Sequence, residues 1–416
     1  MDAPADQPAP RPADRRPSRP APGRTPRLAV LGAGPIGLEA ALAAARRGWP
    51  CSVYERSAAV GGHVRAWGHV RLFTPWSLNV SPPARAALGD AAPDGAGLPT
   101  GTELADRLLA PVAALPAVAA MLRMETTVVA VGREGLLKHE RIGQPDRAGR
   151  PFRLLVRDAD GAERIEHADV VLDCTGTYGS PNALGDGGIP APGELARAGR
   201  IRRDIPDFAG EPQRWAGRRI LLTGAGHSAQ TAARDLARFA RGAPGTTVEW
   251  AVRSPAPDWG AVDDDPLPER AALSRTTREL AAGASPAIEL HPGRVTEALW
   301  DGADGRVAVA LRNSEVIERE FDRILALNGA VGDFAIYRQL QVQECYATCG
   351  PINLAAALLG ESGGDCLAQG GHGVDTLRNP EPGFFILGAK SYGRDNRFLL
   401  SVGWQQVADV FGLLDG

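Results

Sequence analysis

The sequence predicts an α/β fold with two parallel-sheet domains, and three observations favour it. The 416 residues are 44% apolar and 23% charged, an ordinary composition for a globular protein of two or three domains. Two glycine-rich turns, at residues 32–37 and 224–229, each lie between a predicted strand and a predicted helix. Because about 190 residues separate the turns, they indicate a duplicated domain rather than a short-period repeat.

The predicted elements follow this duplication in chain order. The first unit is strand 27–31, helix 38–47 and strand 51–55, and the second is strand 219–222, helix 229–241 and strand 247–252. Further helices are predicted at 102–122 and 402–414, and further strands at 126–131, 152–158, 169–173, 307–311, 323–327 and 383–387. The polar stretches 254–275 and 388–397 are predicted to be loops.

The same pattern predicts how the domains are arranged. Residues 1–26 are rich in Pro, Ala and Arg without apolar periodicity, so we expect a disordered tail. The first domain is expected over residues 27–200 and is completed by residues 326–416. The second domain is expected as an insertion over residues 201–325.

Composition argues against several classes of partner. A formal net charge of -3 gives no electrostatic basis for binding nucleic acid or an anionic membrane. No apolar run reaches the length of about 18 residues that a membrane span needs. Five cysteines are too few for a disulfide scaffold and suit a reducing compartment, so a cytoplasmic location is expected.

The first glycine turn has the spacing of a dinucleotide-binding motif. It consists of Gly32-Ala33-Gly34-Pro35-Ile36-Gly37. Gly32 permits the tight turn, Gly34 lets the backbone approach a pyrophosphate, and Gly37 lets the helix pack against the strand. Glu55 ends the second strand, where a carboxylate can accept both hydroxyls of a ribose. The residues therefore predict a Rossmann-like nucleotide site.

A pair of glycines shortly after Glu55 narrows the nucleotide. Gly61-Gly62, followed by His63, allows another backbone segment to approach the same pyrophosphate. That arrangement is typical of FAD sites, so we predict FAD at this turn.

The second glycine turn repeats the same logic with a different specificity residue. It consists of Gly224-Ala225-Gly226-His227-Ser228-Ala229. Arg253, rather than an acid, follows the second strand of this unit, and an arginine there suits the 2′-phosphate of NADPH. NADH and a vestigial site are the alternatives. His227 either contacts the nicotinamide or fills the turn.

In these features the chain resembles the class B flavin monooxygenases over roughly residues 27–255. The resemblance rests on both glycine turns, Glu55, the segment Trp76-Ser77-Leu78-Asn79-Val80-Ser81-Pro82, and the stretch Asp173-Cys174-Thr175-Gly176. It implies an FAD domain with an inserted NADPH domain, Asn79 beside the flavin as a catalytic residue, and Trp76, Thr175 and Gly176 at the cofactor. The family's Phe-x-Gly-x-x-x-His motif is incomplete, because Phe208-Ala209-Gly210 precedes no such histidine.

The C-terminal segment adds a second group of candidate flavin contacts. Strand 383–387 ends at Gly388, and Ala389 stands where related flavoproteins have an aspartate. Lys390 is one of only two lysines in the chain, so we expect it near the flavin as a catalytic point charge. The final helix, beginning near Gly403-Trp404, is expected to direct its positive dipole end at the flavin.

These observations predict an FAD-dependent, NADPH-driven monooxygenase. We expect it to use O2 to oxygenate a small soft nucleophile, an amine nitrogen, sulfur or arsenic, through a C4a-peroxyflavin. A thiol or disulfide reductase using Cys345 and Cys349 is one alternative, since on a helix this spacing would put both thiols on one face. A non-catalytic FAD-binding redox sensor is another. We expect no metal site and leave a homodimer open.

Overall fold

A computed structural model describes residues 25–262, 265–360 and 371–416. Residues 1–24 of the predicted tail, together with Asp263, Asp264 and Cys366, lie outside the described residues. The predicted fold class is confirmed: the described chain is an α/β structure with two parallel sheets, and each sheet is accompanied by an antiparallel three-stranded sheet.

The first parallel sheet has the strand order β16-β7-β1-β2-β3. The strands of this sheet are β1 Leu28–Leu31, β2 Cys51–Tyr54, β3 Leu122–Arg123, β7 Val170–Asp173 and β16 Phe384–Ile386. Between β3 and β7 the chain forms β4 Thr127–Arg133, β5 Phe152–Arg157 and β6 Glu163–Ala168. Strand β1 is buried at all four positions and pairs with β2 and β7. Strands β4, β5 and β6 form an antiparallel meander beside this sheet.

The second parallel sheet has the order β11-β10-β9-β15-β8. Its strands and those of the neighbouring meander are β8 Ile201–Arg202, β9 Arg219–Thr223, β10 Thr247–Val252, β11 Ile288–Pro292, β12 Val295–Asp301, β13 Val307–Arg312, β14 Val316–Phe321 and β15 Arg323–Ala326. Strands β12 to β14 pair antiparallel. The two units are therefore built alike, each as a parallel sheet with a meander inserted before a later parallel strand.

The helices cover the sheets and follow the local signals of the sequence. They are α1 Pro35–Arg47, α2 Gly62–Ala66, α3 Trp76–Asn79, α4 Pro82–Leu88, α5 Gly101–Leu104, α6 Ala110–Ala114, α7 Pro116–Ala119, α8 Pro145–Ala148, α9 His227–Ala240, α10 Pro268–Ala281, α11 Ile352–Gly360, α12 Val374–Leu377, α13 Ala389–Tyr392 and α14 Leu400–Asp415. Helix α1 has Pro35 in its first turn and ends at Gly48, whose φ of 65° is the left-handed conformation of a C-cap glycine.

Three element predictions need correction. The predicted polar loop 254–275 is wrong in its second half, because α10 begins at Pro268 and buries Leu273, Thr277 and Leu280 against α9. The predicted loop 388–397 contains the short helix α13. The predicted helix 102–122 is divided into α5, a π-helical turn over Ala105–Leu109, α6 and α7. In α10 the packing of buried side chains outweighs the polar local sequence, whereas the break between α6 and α7 falls at Leu115, where Pro116 disfavours helical backbone.

Two linkers connect the units and are hydrogen-bonded to each other. The outgoing linker follows β7, and the returning linker follows β15. The amide N–H of Asn182 donates to the carbonyl of Gly329 over 3.0 Å, and its side-chain amide donates to the carbonyl of Asn328 over 3.0 Å. Leu184 and Ala191 already pack in a core with residues of the second unit, so that core begins before residue 201.

In the described ranges no helix is both long and apolar enough to cross a membrane.

Candidate active site

The three glycines of the first turn meet three different surroundings. Gly32 has a φ of 94°, a left-handed conformation that favours glycine. A Cβ on Gly37 would lie 1.9 Å from the carbonyl oxygen of Gly32, so α1 can approach β1 only with glycine there. A Cβ on Gly34 would have no atom within 4 Å. Gly34 therefore borders open space at the N-terminus of α1, where a phosphate group can be bound.

Glu55 fixes the end of β2 beside this turn. Its Oε2 accepts a hydrogen bond from the Ala33 N–H over 2.7 Å, and its Oε1 accepts one from the Ser57 N–H over 2.9 Å. The residue is 7% exposed and lines the adjacent cavity. Each carboxylate oxygen retains a second lone pair, so Glu55 can still accept hydrogen bonds from hydroxyls in that cavity.

Gly61 and Gly62 bring the start of α2 against the same turn. Gly61 has a φ of 69°, and its N–H donates to the Ala33 carbonyl over 2.9 Å. The ring of His63 follows, with Nε2 2.7 Å from a guanidinium nitrogen of Arg56. Burial lowers the pKa of His63, and the charge of Arg56 lowers it further. A neutral imidazole therefore lies in the cavity wall.

A cavity of about 620 Å³, here called the main cavity, runs along these residues. That volume is within the usual range of small-molecule and cofactor sites. Twelve of the predicted residues line it: Gly32, Gly34, Pro35, Ile36, Glu55, Gly61, Gly62, His63, Thr175, Gly176, Ser228 and Gly388. Gly37 lies behind the wall. Ser228, Leu327 and Asn328 extend the wall to the second unit, so both units contribute to one cavity.

A second cavity of about 350 Å³, here called the side cavity, adjoins the main cavity. Trp67, Tyr178, Arg203 and Leu400 line both cavities. The side cavity is otherwise lined by the segment from Val70 to Thr74 and by parts of α9 and α10. The two cavities together form a continuous site between the first and second units.

Asn79 lines the side cavity, with its amide held by its own turn. Its side-chain nitrogen donates to the carbonyls of Thr74 and Pro75 over 2.8 and 2.9 Å, and its Oδ1 accepts from the Thr74 hydroxyl over 2.8 Å. Asn79 is 2% exposed. Its side chain therefore holds the Thr74–Val80 turn in shape and leaves little hydrogen-bonding capacity for a ligand.

The cavity wall contains Trp67 rather than Trp76, for which a cofactor contact is predicted. Trp76 is buried in the core of the first unit, with the Arg107 guanidinium 5.1 Å from its ring centre, and it lines neither the main nor the side cavity. Trp67 is the tryptophan that lines both, and its ring centroid lies 6.3 Å from that of Tyr178. The sequence contains both tryptophans, but only tertiary packing decides which ring faces the cavity.

The second glycine turn repeats the geometry of the first. Gly224 has a φ of 107°, and a Cβ there would lie 2.2 Å from the Leu327 carbonyl oxygen. A Cβ on Gly226 would have no atom within 4 Å. The Trp250 indole N–H donates to the Gly224 carbonyl over 2.8 Å and so supports the turn from β10.

His227 and Arg253 lie on different sides of this turn. The His227 ring lines the side cavity in edge contact with Phe73, at a centroid distance of 5.5 Å. Burial and the charge of Arg270 lower its pKa. Arg253 is exposed just after β10 and lines neither the main nor the side cavity, and its charge helps to lower the pKa of Asp186. Arg253 thus lies at the strand end where the sequence pattern predicts a 2′-phosphate.

Lys390 forms a buried ion pair rather than a wall of the main cavity. Its Nζ donates to Asp173 Oδ2 over 2.6 Å, to the Asp333 carbonyl over 2.7 Å and to the Thr175 hydroxyl over 3.1 Å, and both charged side chains are fully buried. Asp173 Oδ1 also accepts from the N–H and hydroxyl of Thr175. The ammonium group is committed to these partners, which does not support the predicted role as a point charge in contact with a flavin.

The final helix faces the site with a different residue from the predicted one. Helix α14 begins at Leu400, which lines both cavities. Gly403 instead packs against α1, since a Cβ there would lie 2.3 Å from Ile36 Cδ1, and Trp404 lines neither cavity. The predicted contacts of Gly403 and Trp404 with a cofactor are therefore not supported, because these positions serve helix packing.

The cysteine pair lies on a turn, so the expected helical face is wrong. The Cys349 N–H donates to the Cys345 carbonyl over 2.7 Å, and Cys349 has a φ of 58°. Both thiols are free, and neither residue lines the main or side cavity. Among the described cysteines, Cys174 lines the main cavity, and burial raises the pKa of its thiol far above the ordinary value.

Arg203 is a cavity residue that sequence reasoning missed. Its guanidinium donates to the Asn182 carbonyl over 2.7 Å and to Glu194 over 2.6 Å, and it lines both cavities. Nothing in the local sequence distinguishes it from the other arginines of the chain.

Within the described ranges, no group of three or more His, Cys, Asp and Glu residues could hold a metal ion.

Comparison with known proteins gives matches at the level of structure. No protein-family model and no curated protein sequence matches the chain. Bacillithiol disulfide reductase from Bacillus cereus is 17% identical, covering 94% of this chain and 99% of that chain with a TM-score of 0.65. Thioredoxin reductase from Lactococcus lactis is 16% identical, with coverages of 94% and 99% and a TM-score of 0.58.

Flavin monooxygenases are matched in the same way. The cadaverine monooxygenase of desferrioxamine biosynthesis from Erwinia amylovora, solved with FAD bound, is 13% identical, with coverages of 94% and 95% and a TM-score of 0.62. The chain therefore has the two-dinucleotide-binding-domain fold of flavoprotein oxidoreductases, a fold shared by thiol-disulfide reductases and flavin monooxygenases.

Proposed function

We propose that the chain binds FAD along the main cavity. Gly34 offers an open approach at the N-terminus of α1, and Glu55 lines the wall with free lone pairs beside it. The cavity continues past Thr175 and Gly388 to Leu400, the first residue of α14. The residues thus fit an extended molecule with an anionic centre and hydroxyl groups. Bound FAD would supply the acceptance of hydride and the reaction with O2.

We propose NADPH as the electron donor at the second glycine turn. Gly226 is as open as Gly34, and Arg253 is exposed at the end of β10 where a 2′-phosphate would lie. Ser228 in the wall of the main cavity joins this turn to the first site. The role of the chain is to align the two nucleotides and to keep water away from them.

The reaction we propose is oxygenation of a small soft nucleophile by O2. The observation that carries this choice is the side cavity, which joins the main cavity at Trp67 and Tyr178 and has room for a small substrate. A thiol reductase using Cys345 and Cys349 receives less support, because neither thiol lines either cavity. Asn79 holds the Thr74–Val80 turn in shape, so it would determine the shape of the side cavity, where the substrate would bind.

The experiment follows the electrons. Purified protein with FAD and NADPH is supplied in turn with amines, thiols and arsenite, and the consumption of NADPH and O2 is measured together with release of H2O2. A substrate should accelerate NADPH consumption and suppress H2O2 release, with one oxygen atom found in the product. NADPH consumption that requires a disulfide and proceeds without O2 would contradict oxygenation and favour a reductase.

The cysteine alternative has its own test. Cys345→Ser and Cys349→Ser should each leave NADPH consumption within about twofold of the unchanged protein, because neither residue lines the main or side cavity and serine is close to cysteine in size. A loss of disulfide-dependent turnover in both variants, with FAD still bound, would establish the reductase instead.

A further inference from the structure

Helix α1 carries a buried acid that the proposed function leaves unused. Glu39 is 8% exposed, and its Oε2 accepts a hydrogen bond of 2.7 Å from the Ser81 hydroxyl. Among the described residues, Ser81 is its one hydrogen-bond partner. The same hydroxyl accepts from the Ala84 N–H and so caps α4. Burying a carboxyl group with a single partner is costly unless the group holds a proton or meets further donors.

A small cavity beside Glu39 connects it to the site. Its volume is about 20 Å³, sufficient for one water molecule. Glu39 and Ser81 in its lining provide the two hydrogen-bond partners that a buried water needs, and the amide of Asn79 borders the same space. The small cavity shares Pro35 with the main cavity, Asn79 with the side cavity and Leu400 with both. The small cavity therefore borders side chains that also line the main and side cavities.

Burial, rather than the surrounding charges, favours the protonated form of Glu39. Burial raises its pKa, and this outweighs the hydrogen bond from Ser81 and the charge of Arg46 on the same helix, which lower it. The neighbouring segments contribute two more arginines, and each has another partner: Arg85 of α4 pairs with Asp94, and Arg107 lies over the ring of Trp76. Helix α14 contributes Leu400 and the aromatic Trp404 to the small cavity.

We propose that Glu39 is an internal proton donor that acts through one water molecule in the small cavity. The inference rests on the proposed function. NADPH delivers two electrons and one proton as hydride, so forming water from one oxygen atom of O2 while the other enters the substrate consumes one further proton per turnover. Glu39 gives its proton to the water, which passes a proton towards Asn79 and the side cavity. The carboxylate is then reprotonated from solvent.

The first test uses the protein without nucleotides and concerns the proton itself. Infrared spectra of the unchanged protein should contain a carboxylic-acid C=O band that persists at pH values above the ordinary glutamate pKa of about 4.3. The band should be absent from Glu39→Gln. The matched control is Glu103→Gln, which keeps the cap of α5 because glutamine also serves in a capping box. If the band has already disappeared when the pH is raised to the ordinary glutamate pKa, the carboxyl group is not held in its protonated form and the proposal is overturned.

Stability gives an independent check of the same proton. Because the folded state binds the proton more tightly than the unfolded state, stability should fall as pH rises above the unfolded-state pKa. The Tm of the unchanged protein should therefore fall relative to that of Glu39→Gln as the pH rises above the ordinary glutamate pKa of about 4.3. Parallel Tm curves for the two proteins would contradict a stored proton.

The second test concerns proton delivery in the loaded enzyme. Glu39→Gln should keep its FAD but lose about 100-fold in the rate of O2-dependent turnover, and the fall of that rate at alkaline pH should disappear. Glu103→Gln should retain both the rate and its pH profile. A Glu39→Gln variant with an unchanged pH profile would overturn delivery by Glu39. If the unchanged protein does not oxidise NADPH, the proposed function fails, and the infrared and Tm results alone decide whether Glu39 stores a proton.

Discussion

Single residues in the first glycine turn act on two separable properties, folding and ligand access. Gly37 is enclosed by the backbone of Gly32, whereas Gly34 faces open space. The spacing of the glycines predicts the close packing at Gly37, and the open space at Gly34 is consistent with the predicted approach of a pyrophosphate. It could not assign Trp76, Lys390 or Trp404, because their surroundings come from segments distant in the chain.

The two glycines give a matched pair of variants. Gly37→Ala would force a Cβ to 1.9 Å from a carbonyl oxygen, so we expect a loss of several degrees in Tm together with loss of FAD. Gly34→Ala meets no atom within 4 Å and should keep its Tm while binding FAD at least tenfold more weakly. Thermal melts and FAD titrations check both. A Gly34→Ala variant with unchanged FAD affinity would remove the main cavity as the FAD site.

We predict that the buried ion pair of Lys390 with Asp173 stabilises the folded chain. Lys390→Met leaves Asp173 buried without its cation, which should destabilise the fold by about 3–5 kcal/mol. The double variant Asp173→Asn with Lys390→Met removes both charges and should recover much of that loss. Denaturant unfolding measures the free energies. Equal stability of Lys390→Met and the unchanged protein would show that the pair is not formed.

At the scale of elements, the strands and helices of the two β-α-β units are the parts that the sequence predicted best. Long apolar runs and glycine turns mark β1, α1, β9 and α9 clearly. Some strands were not predicted, because they are short or exposed, with few apolar positions; these are β3, β6, β8, β11, β12 and β14. Helix α10 was missed because its polar sequence conceals the buried row of Leu273, Thr277 and Leu280.

The end of β10 is the element on which the choice of nicotinamide nucleotide depends. Arg253→Ala should raise the KM for NADPH by about 10- to 100-fold and leave the KM for NADH nearly unchanged, since a charge-assisted contact is worth about 1.5–3 kcal/mol. Arg241→Ala, an exposed arginine at the end of α9, is the control. Steady-state kinetics with both nucleotides decide the matter, and equal effects on the two KM values would reject the contact with the 2′-phosphate.

At the scale of the whole molecule, the orientation of the two units depends on the crossed linkers. Asn328 is at the crossing, where its Oδ1 accepts from the Thr223 hydroxyl over 2.9 Å and its side-chain nitrogen donates to the Ala183 carbonyl over 3.0 Å. It also lines the main cavity. The sequence predicted the insertion of one unit into the other, but it carried no signal for this network, since the partners are more than a hundred residues apart.

Loss of these hydrogen bonds should slow the transfer of electrons from NADPH to FAD. Asn328→Ala removes both side-chain hydrogen bonds, so we expect reduction of bound FAD by NADPH to slow by about tenfold. Reduction by dithionite, which needs no alignment, should keep its rate. Stopped-flow absorbance measures both, and Asn313→Ala in the exposed β13–β14 hairpin is the control. Equal slowing with both reductants would point to general damage instead.

The scarcity of lysine has a practical consequence for handling the molecule. Of the two lysines, Lys390 is fully buried and Lys138 is exposed on the loop between β4 and α8. Amine-reactive dyes or resins would therefore attach at one side chain, apart from the chain's terminal amine, and the attachment point would not line the main or side cavity. The native chain thus offers one exposed lysine side chain for attachment, away from both cavities.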